Sequence, residues 1–161
     1  MQAANPESQR HVGPVGIVAS TAALASVRSL VGDFAAESGA STEFVDDLTL
    51  AVDEVCANIV AHGYADPSYE EAAFTIELEG IPTGIEVVIR DRGSAFDVQN
   101  AATPEIADWI ARGKKGGLGL KLIKMLVDDV RYRRIDGVNE VRLCKSLPGT
   151  IADSSGAWPV E

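Results

Sequence analysis

The chain has 161 residues, with 14 Lys and Arg against 24 Asp and Glu, and its net charge of −10 argues against a nucleic-acid backbone as ligand, since phosphates require clustered basic side chains. Hydrophobic residues make up 46% and charged residues 24%, the balance of one soluble domain with a full core. No apolar run reaches bilayer length, the polar start "MQAANPESQR" lacks the apolar segment of a signal peptide, and two cysteines, Cys56 and Cys144, exclude a disulfide scaffold; the expected location is the cytoplasm, away from any membrane.

Residues 1–12 read as a flexible arm, and 13–147 as the folded domain. "PVGIVAS" suits a first strand with Pro14 at its start. From Thr21 to Glu37 the residues Leu24, Val27, Leu30, Val31 and Phe34 recur at helical spacing, with Ser20 or Thr21 as cap and Gly39 as stop. Ser41 caps a second predicted helix that runs to about His62. "AFTIELEG" and "GIEVVIRD" alternate as strands joined by "IPTG", a hairpin. "TPEIADWIARG" predicts a short helix with Thr103 as cap, Pro104 at the first helical position and Gly113 as stop. Leu118, Leu122, Ile123, Leu126 and Val127 trace another helix. "VRYRRI" and "VNEVRLCKSL" are strands joined at Asp136-Gly137. Residues 148–161 read as a flexible tail. The order β-α-α-β-β-α-α-β-β predicts an α/β (α+β) two-layer sandwich, a mixed, mainly antiparallel sheet with helices on one face.

Three polar islands interrupt this pattern. Glu54 and Asn58 lie four apart on an otherwise apolar helix and share a face, with His62 one turn on. An amide oxygen at Asn58 is a hard ligand suited to Mg²⁺, and a carboxylate at Glu54 can take a proton from a hydroxyl nucleophile. Asp91 ends a hydrophobic strand in "DRGSAFD", where a carboxylate suits the exocyclic amine of adenine, and Gly93 permits close approach to a flat ligand. "KKGGLGL", Lys114 to Leu120, puts glycines before a helix N-terminus, a natural phosphate site that matches neither the P-loop nor the dinucleotide fingerprint. Taken singly, each island also fits a plainer reading: a solvated helix face, a strand-ending turn, a loop leading into a helix.

Their order and joint presence narrow the choice. With "LAVDEVCANIVAHGY", "DRGSAFD", "GGLGLKLIKMLVDDV" and "NEVRLCK", preceded by "LASVRSLVGDFAAESGAS", the chain over residues 14–147 resembles the GHKL ATPase superfamily and its Bergerat nucleotide fold. More narrowly, it resembles the small bacterial anti-sigma-factor serine/threonine kinases of the RsbW and SpoIIAB type. The resemblance implies ATP and Mg²⁺ as cofactors, Glu54 as general base, Asn58 as metal ligand and Asp91 as the adenine contact with Gly93 beside it. It implies an ATP lid from Phe96 to Gly116, a phosphate segment at Gly116, Gly117, Leu118 and Gly119, and Asn139 as a polar position near the nucleotide. Ala95 departs from the superfamily's D-x-G-x-G, standing where the second glycine would be.

The implied partners are a sigma factor and a STAS-domain antagonist, the phosphorylation substrate. Both would meet a surface containing Arg28, on a homodimeric protein. Two other readings stay open here. One is an ATP-binding anti-sigma module that phosphorylates nothing. The other is a histidine-kinase-type catalytic domain, for which His11 and His62 are the only histidines present.

Overall fold

In the computed structural model, residues 10–64, 73–102, 105–111 and 118–149 are described. Two serines start the first two helices. Ser20 Oγ accepts the Ala23 N–H at 3.3 Å and opens α1 (Thr21–Glu37); Ser41 Oγ accepts the Phe44 N–H at 3.2 Å and opens α2 (Thr42–Asn58). The caps fix where the helices begin; the apolar stripes fix how they lie. Phe44, Leu48, Ala51, Val52, Val55 and Cys56 of α2 are buried together with Val27, Val31 and Phe34 of α1. Full burial of one large aliphatic side chain contributes roughly 1.5–3 kcal/mol, against about 1 for a cap, so the stripe sets the orientation of α2.

The expected continuation of α2 to His62 is modified. Its α-helical hydrogen bonding stops at Asn58, and Ile59–Gly63 forms a π-helical turn. Such turns widen the helix by one residue and often mark functional sites.

Five strands form one sheet in the order β1 (His11–Val18), β2 (Ala73–Ile81), β3 (Gly84–Asp91), β5 (Val138–Ser146), β4 (Asp129–Ile135). All four pairings are antiparallel, so the mixed component of the expectation does not occur among the described residues. The reason is the pair of helices between β1 and β2: down and back up, they return the chain to the end of the sheet it left. The tight β4–β5 turn has Asp136 and Gly137 at φ 50° and 79°, as a two-residue hairpin requires. The first strand begins at His11 rather than Pro14, and His11 and Val12 pair with Glu79 and Leu78, which shortens the expected arm. Pro14 sits inside the strand at a break in register between Val12 and Val15, which β1 tolerates because it is an edge strand.

Helices cover one face of the sheet. Ile76, Leu78, Ile85, Val87, Ile89, Val141 and Leu143 point into that layer and meet the α1 and α2 stripes and Ile123 of α4 (Leu118–Leu126). The opposite face carries an ion-pair ladder. Glu140 accepts from Arg90 at 2.7 Å, Arg133 at 2.7 Å and Arg142 at 2.8 Å; Arg90 also reaches Glu77 and Arg142 reaches Glu86. With three arginines around it, Glu140 is buried although it faces away from the helix layer.

Burial pushes the Glu140 carboxyl up, but hydrogen bonds from Arg133, Arg142 and Arg90 outweigh it and hold the group at about 2, against an ordinary 4.5. A folded-state value below the unfolded one stabilises the fold fully above about pH 4.5, and that contribution is lost as pH falls toward 2. Glu140→Gln should therefore lower the urea midpoint at neutral pH and flatten its decline between pH 4.5 and 2. An unchanged acid limb in the variant would remove Glu140 from that role.

Candidate active site

Strand alternation places Asp91 as the last inward-facing residue of β3, at the end of the row Ile85, Val87, Ile89. Cross-strand register puts it opposite Phe74 on one side and Asn139 on the other, and Asn139 stands opposite Arg134 on β4. Asp91 is buried, and one of its oxygens, Oδ1, accepts the Gly93 N–H at 2.8 Å and the Asn139 Nδ2–H at 3.0 Å. Burial pushes this carboxyl above the usual aspartate range; the Asn139 and Gly93 donors and the positive charge of Arg134 offset only part of that.

The turn after Asp91 explains Gly93. A Cβ there would lie 2.3 Å from the Gly63 carbonyl oxygen and 2.9 Å from Asp91 Oδ1. Gly93 thus admits the chain's own backbone at the end of the π-helical turn. The Ser94 N–H donates to that same Gly63 oxygen at 2.7 Å, while Tyr64 donates to the Ala73 carbonyl and accepts the Arg92 N–H at 3.1 Å. These bonds join the end of the α2 segment to the end of β3.

A partly open cleft lies at this junction. Val55, Ile59, Val98 and Val141 supply apolar walls, while Asn58 and Asp91 are among the polar groups that face it. His62, expected one turn beyond Asn58, also lines the cleft despite the changed helical period. Glu54, one turn before Asn58, is half-buried against the first turn of α4: a Cβ on Gly119 would fall 2.3 Å from Glu54 Oε2. Leu118 and Gly119 begin α4, whereas Lys114, Lys115, Gly116 and Gly117 lie outside the described residues.

The expected lid has defined anchors. Asp97 Oδ1 accepts the N–H groups of Gln99 and Asn100, both at 3.0 Å, Gln99 Oε1 accepts the Tyr132 N–H at 3.0 Å, and Lys124 Nζ donates to the Ala101 carbonyl at 3.2 Å. The short helix expected in it is α3 (Ile106–Ala111); Thr103, Pro104 and Gly113 lie outside the described residues.

Asn58, Asp91 and Asn139 thus meet around one cleft, with Glu54 and Gly119 adjoining. Arg28 stands apart on α1, paired with Asp53 of α2 at 2.7 Å. Tyr132 and Arg134, which no motif marked, both bond Asn139. They could have been found by counting back from the Asp136-Gly137 turn, since a two-residue hairpin fixes Arg134 opposite Asn139.

The donor set fits a hard cation bound with a nucleotide. Among the described residues no three His, Cys, Asp or Glu gather as a metal cage. Mg²⁺ needs no such cage: it keeps several waters and takes few protein ligands beside substrate phosphates, and the hard amide oxygen of Asn58 suits one such position. No helix among the described residues is long and apolar enough to cross a membrane.

Residues 17–145 match the histidine kinase-like ATPase domain. The chain is 30% identical over 131 residues to the serine-protein kinase RsbW of Bacillus velezensis, covering 79% of this chain and 80% of that protein. It is 32% identical over 118 residues to RsbW of Listeria innocua, covering 71% and 74%. The chain belongs to the histidine kinase-like ATPase domain family, in its RsbW serine-protein kinase branch. Two solved structures share the fold. The RsbU and RsbW domains of Rv1364c from Mycobacterium tuberculosis align with TM-score 0.54 and 21% identity, covering 88% of this chain and 33% of that one. The SiaB–SiaC complex from Pseudomonas aeruginosa aligns with TM-score 0.54 and 17% identity, covering 80% and 86%.

In this RsbW-type site the two tight glycine contacts have different consequences. Gly93→Ala meets backbone atoms and should destabilise the fold by about 1–3 kcal/mol, read in urea unfolding. Gly119→Ala meets the movable end of Glu54 and should leave the urea midpoint nearly unchanged while displacing that carboxylate. Equal loss of stability in both variants would contradict this assignment.

Proposed function

We propose that this chain is an ATP-dependent serine/threonine protein kinase that acts as an anti-sigma factor in a partner-switching pathway. It would bind a sigma factor and phosphorylate a STAS-domain antagonist, and contact with a sigma factor would place it in the cytoplasm. The carrying observation is the cleft that a buried, half-satisfied Asp91 and the amide of Asn58 both line, with Glu54 one helical turn before Asn58 and set against the first turn of α4. RsbW serine-protein kinases related over most of the chain support the activity.

In this reading Asp91 accepts a hydrogen bond from the exocyclic amine of adenine. The apolar walls hold the base, and the backbone N–H groups at Gly116 to Gly119 receive the phosphates at the positive end of α4. Asn58 would hold Mg²⁺, which when bound neutralises phosphate charge. Glu54 orients the serine or threonine hydroxyl of the protein substrate and accepts its proton as the oxygen attacks the γ-phosphorus and ADP leaves. Phosphoryl transfer depends mainly on positioning and charge neutralisation, and these side chains supply both.

Binding and chemistry should separate by mutation. Glu54→Ala should keep ATP affinity within a few-fold and slow transfer to a STAS-domain protein by on the order of 10²–10⁴. Asn58→Ala should weaken both. Wild-type transfer by Glu54→Ala would reject the general-base role.

Arg28 is proposed as part of the partner surface, available to a partner that replaces its Asp53 contact. Phosphorylation would add about −1.5 to −2 charge to the antagonist, and repulsion from a chain of net charge −10 would release it. Arg28→Glu should reduce capture of both sigma factor and antagonist and leave ATP affinity unchanged; undiminished capture would eliminate it from the interface. The family resemblance also implies a homodimer, which sedimentation of the full chain would test.

A further inference from the structure

We propose that Arg134 and Tyr132 of β4 are specificity-determining positioning residues: they hold the Asn139 amide in one orientation and thereby fix which Asp91 oxygen is left to read a purine. The proposal rests on the reading of Asp91 as the group that meets the base.

An asparagine amide has two nearly isosteric orientations, one presenting oxygen and the other an NH₂ group to a given side. At Asn139 the surroundings allow one. The end facing β4 lies 2.6 Å from Arg134 Nη1 and 2.8 Å from the Tyr132 hydroxyl. A guanidinium only donates, so that end must be the oxygen. The other end faces three acceptors: Asp91 Oδ1 at 3.0 Å, the Gly93 carbonyl at 3.2 Å and the Ser94 carbonyl at 3.0 Å. Only an NH₂ group suits that side. Arg134 strengthens the arrangement by donating to the Gly93 carbonyl as well, at 2.9 Å.

The consequence passes to Asp91. Its Oδ1 takes both internal donors, the Asn139 amide and the Gly93 N–H, so Oδ2 is the oxygen left for a ligand. An oxygen that only accepts complements a purine carrying an amine at C6. Against a 6-oxo purine it would oppose acceptor to acceptor, and a buried polar group left unpaired is penalised. Asn139 itself spends both ends of its amide within the protein. It therefore acts on the base through Asp91. If the amide turned over, its oxygen would face the Asp91 carboxylate, and Asp91 would have to turn away or gain a proton.

The test is calorimetric titration of the full chain with ATP and with ITP, which differ in the 6-amino and 6-oxo groups, in the presence of Mg²⁺. The wild type should prefer ATP by on the order of 10². Arg134→Met should reduce that preference at least about tenfold, mostly by weakening ATP, with ITP little changed. Arg134→Lys, which restores a charged donor, should recover most of it. Tyr132→Phe removes one hydroxyl and should reduce the preference less than Arg134→Met does; it carries the test if the methionine variant does not fold. Asp91→Asn separates the two levels. If it leaves the preference intact, the Asp91 reading falls and the proposal falls with it. If Asp91→Asn abolishes the preference while the β4 variants weaken ATP and ITP by the same factor, Asp91 stands and the positioning role is overturned.

Discussion

Asp91 is a carboxylate buried at the end of a central strand, and much of the site follows from the need to give it donors. A carboxylate in that position without hydrogen bonds would be expelled or neutralised. The Gly93 N–H reaches it only because the chain turns sharply after the strand, and the turn is possible because Gly93 lies flat against the Gly63 carbonyl. Gly63 is where it is because α2 ends in a π-helical turn. The same junction delivers Asn58 to the cleft that Asp91 faces. One buried charge thus fixes the relation between the end of a helix and the end of a strand that are 33 residues apart in sequence, counting from Asn58 to Asp91.

The two faces of the sheet handle charge in opposite ways. On the face away from the helices Glu140 is paired with three arginines. Among the described residues a charge network, not a helix layer, covers it there. On the helix face the polar groups are few, and Asp91 keeps one oxygen uncommitted to its two internal donors. A fully paired network is structural; a partly paired, buried carboxylate in a cleft is the arrangement expected where a ligand completes the shell.

Most of the architecture was legible in the sequence because its signals are local. Ser20 and Ser41 cap as expected, the alternation in "AFTIELEG" and "GIEVVIRD" gives the hairpin, and Asp136-Gly137 gives the turn. What was misjudged depends on contacts between distant segments. The π-helical turn after Asn58 is invisible to apolar periodicity, since Ile59 is buried in either period. Pro14 marked a strand start, yet an edge position let the strand extend past it to His11. Gly93 was read for a ligand alone, and its missing side chain also makes room for Gly63. Asn58 and Asp91 stood out by chemical type and by the family resemblance, whereas Arg134 and Tyr132 belong to no motif and come beside Asn139 only through the hairpin register.

The central claim is that this cleft transfers the γ-phosphoryl group of ATP to a hydroxyl of a partner protein. The most direct measurement is single-turnover transfer from [γ-³²P]ATP to a STAS-domain protein, followed by acid and base treatment of the labelled product. The account predicts label on the partner that survives acid, as a phosphoserine or phosphothreonine ester does. ATP binding with no transferred label, or label that acid removes as from phosphohistidine, would contradict it.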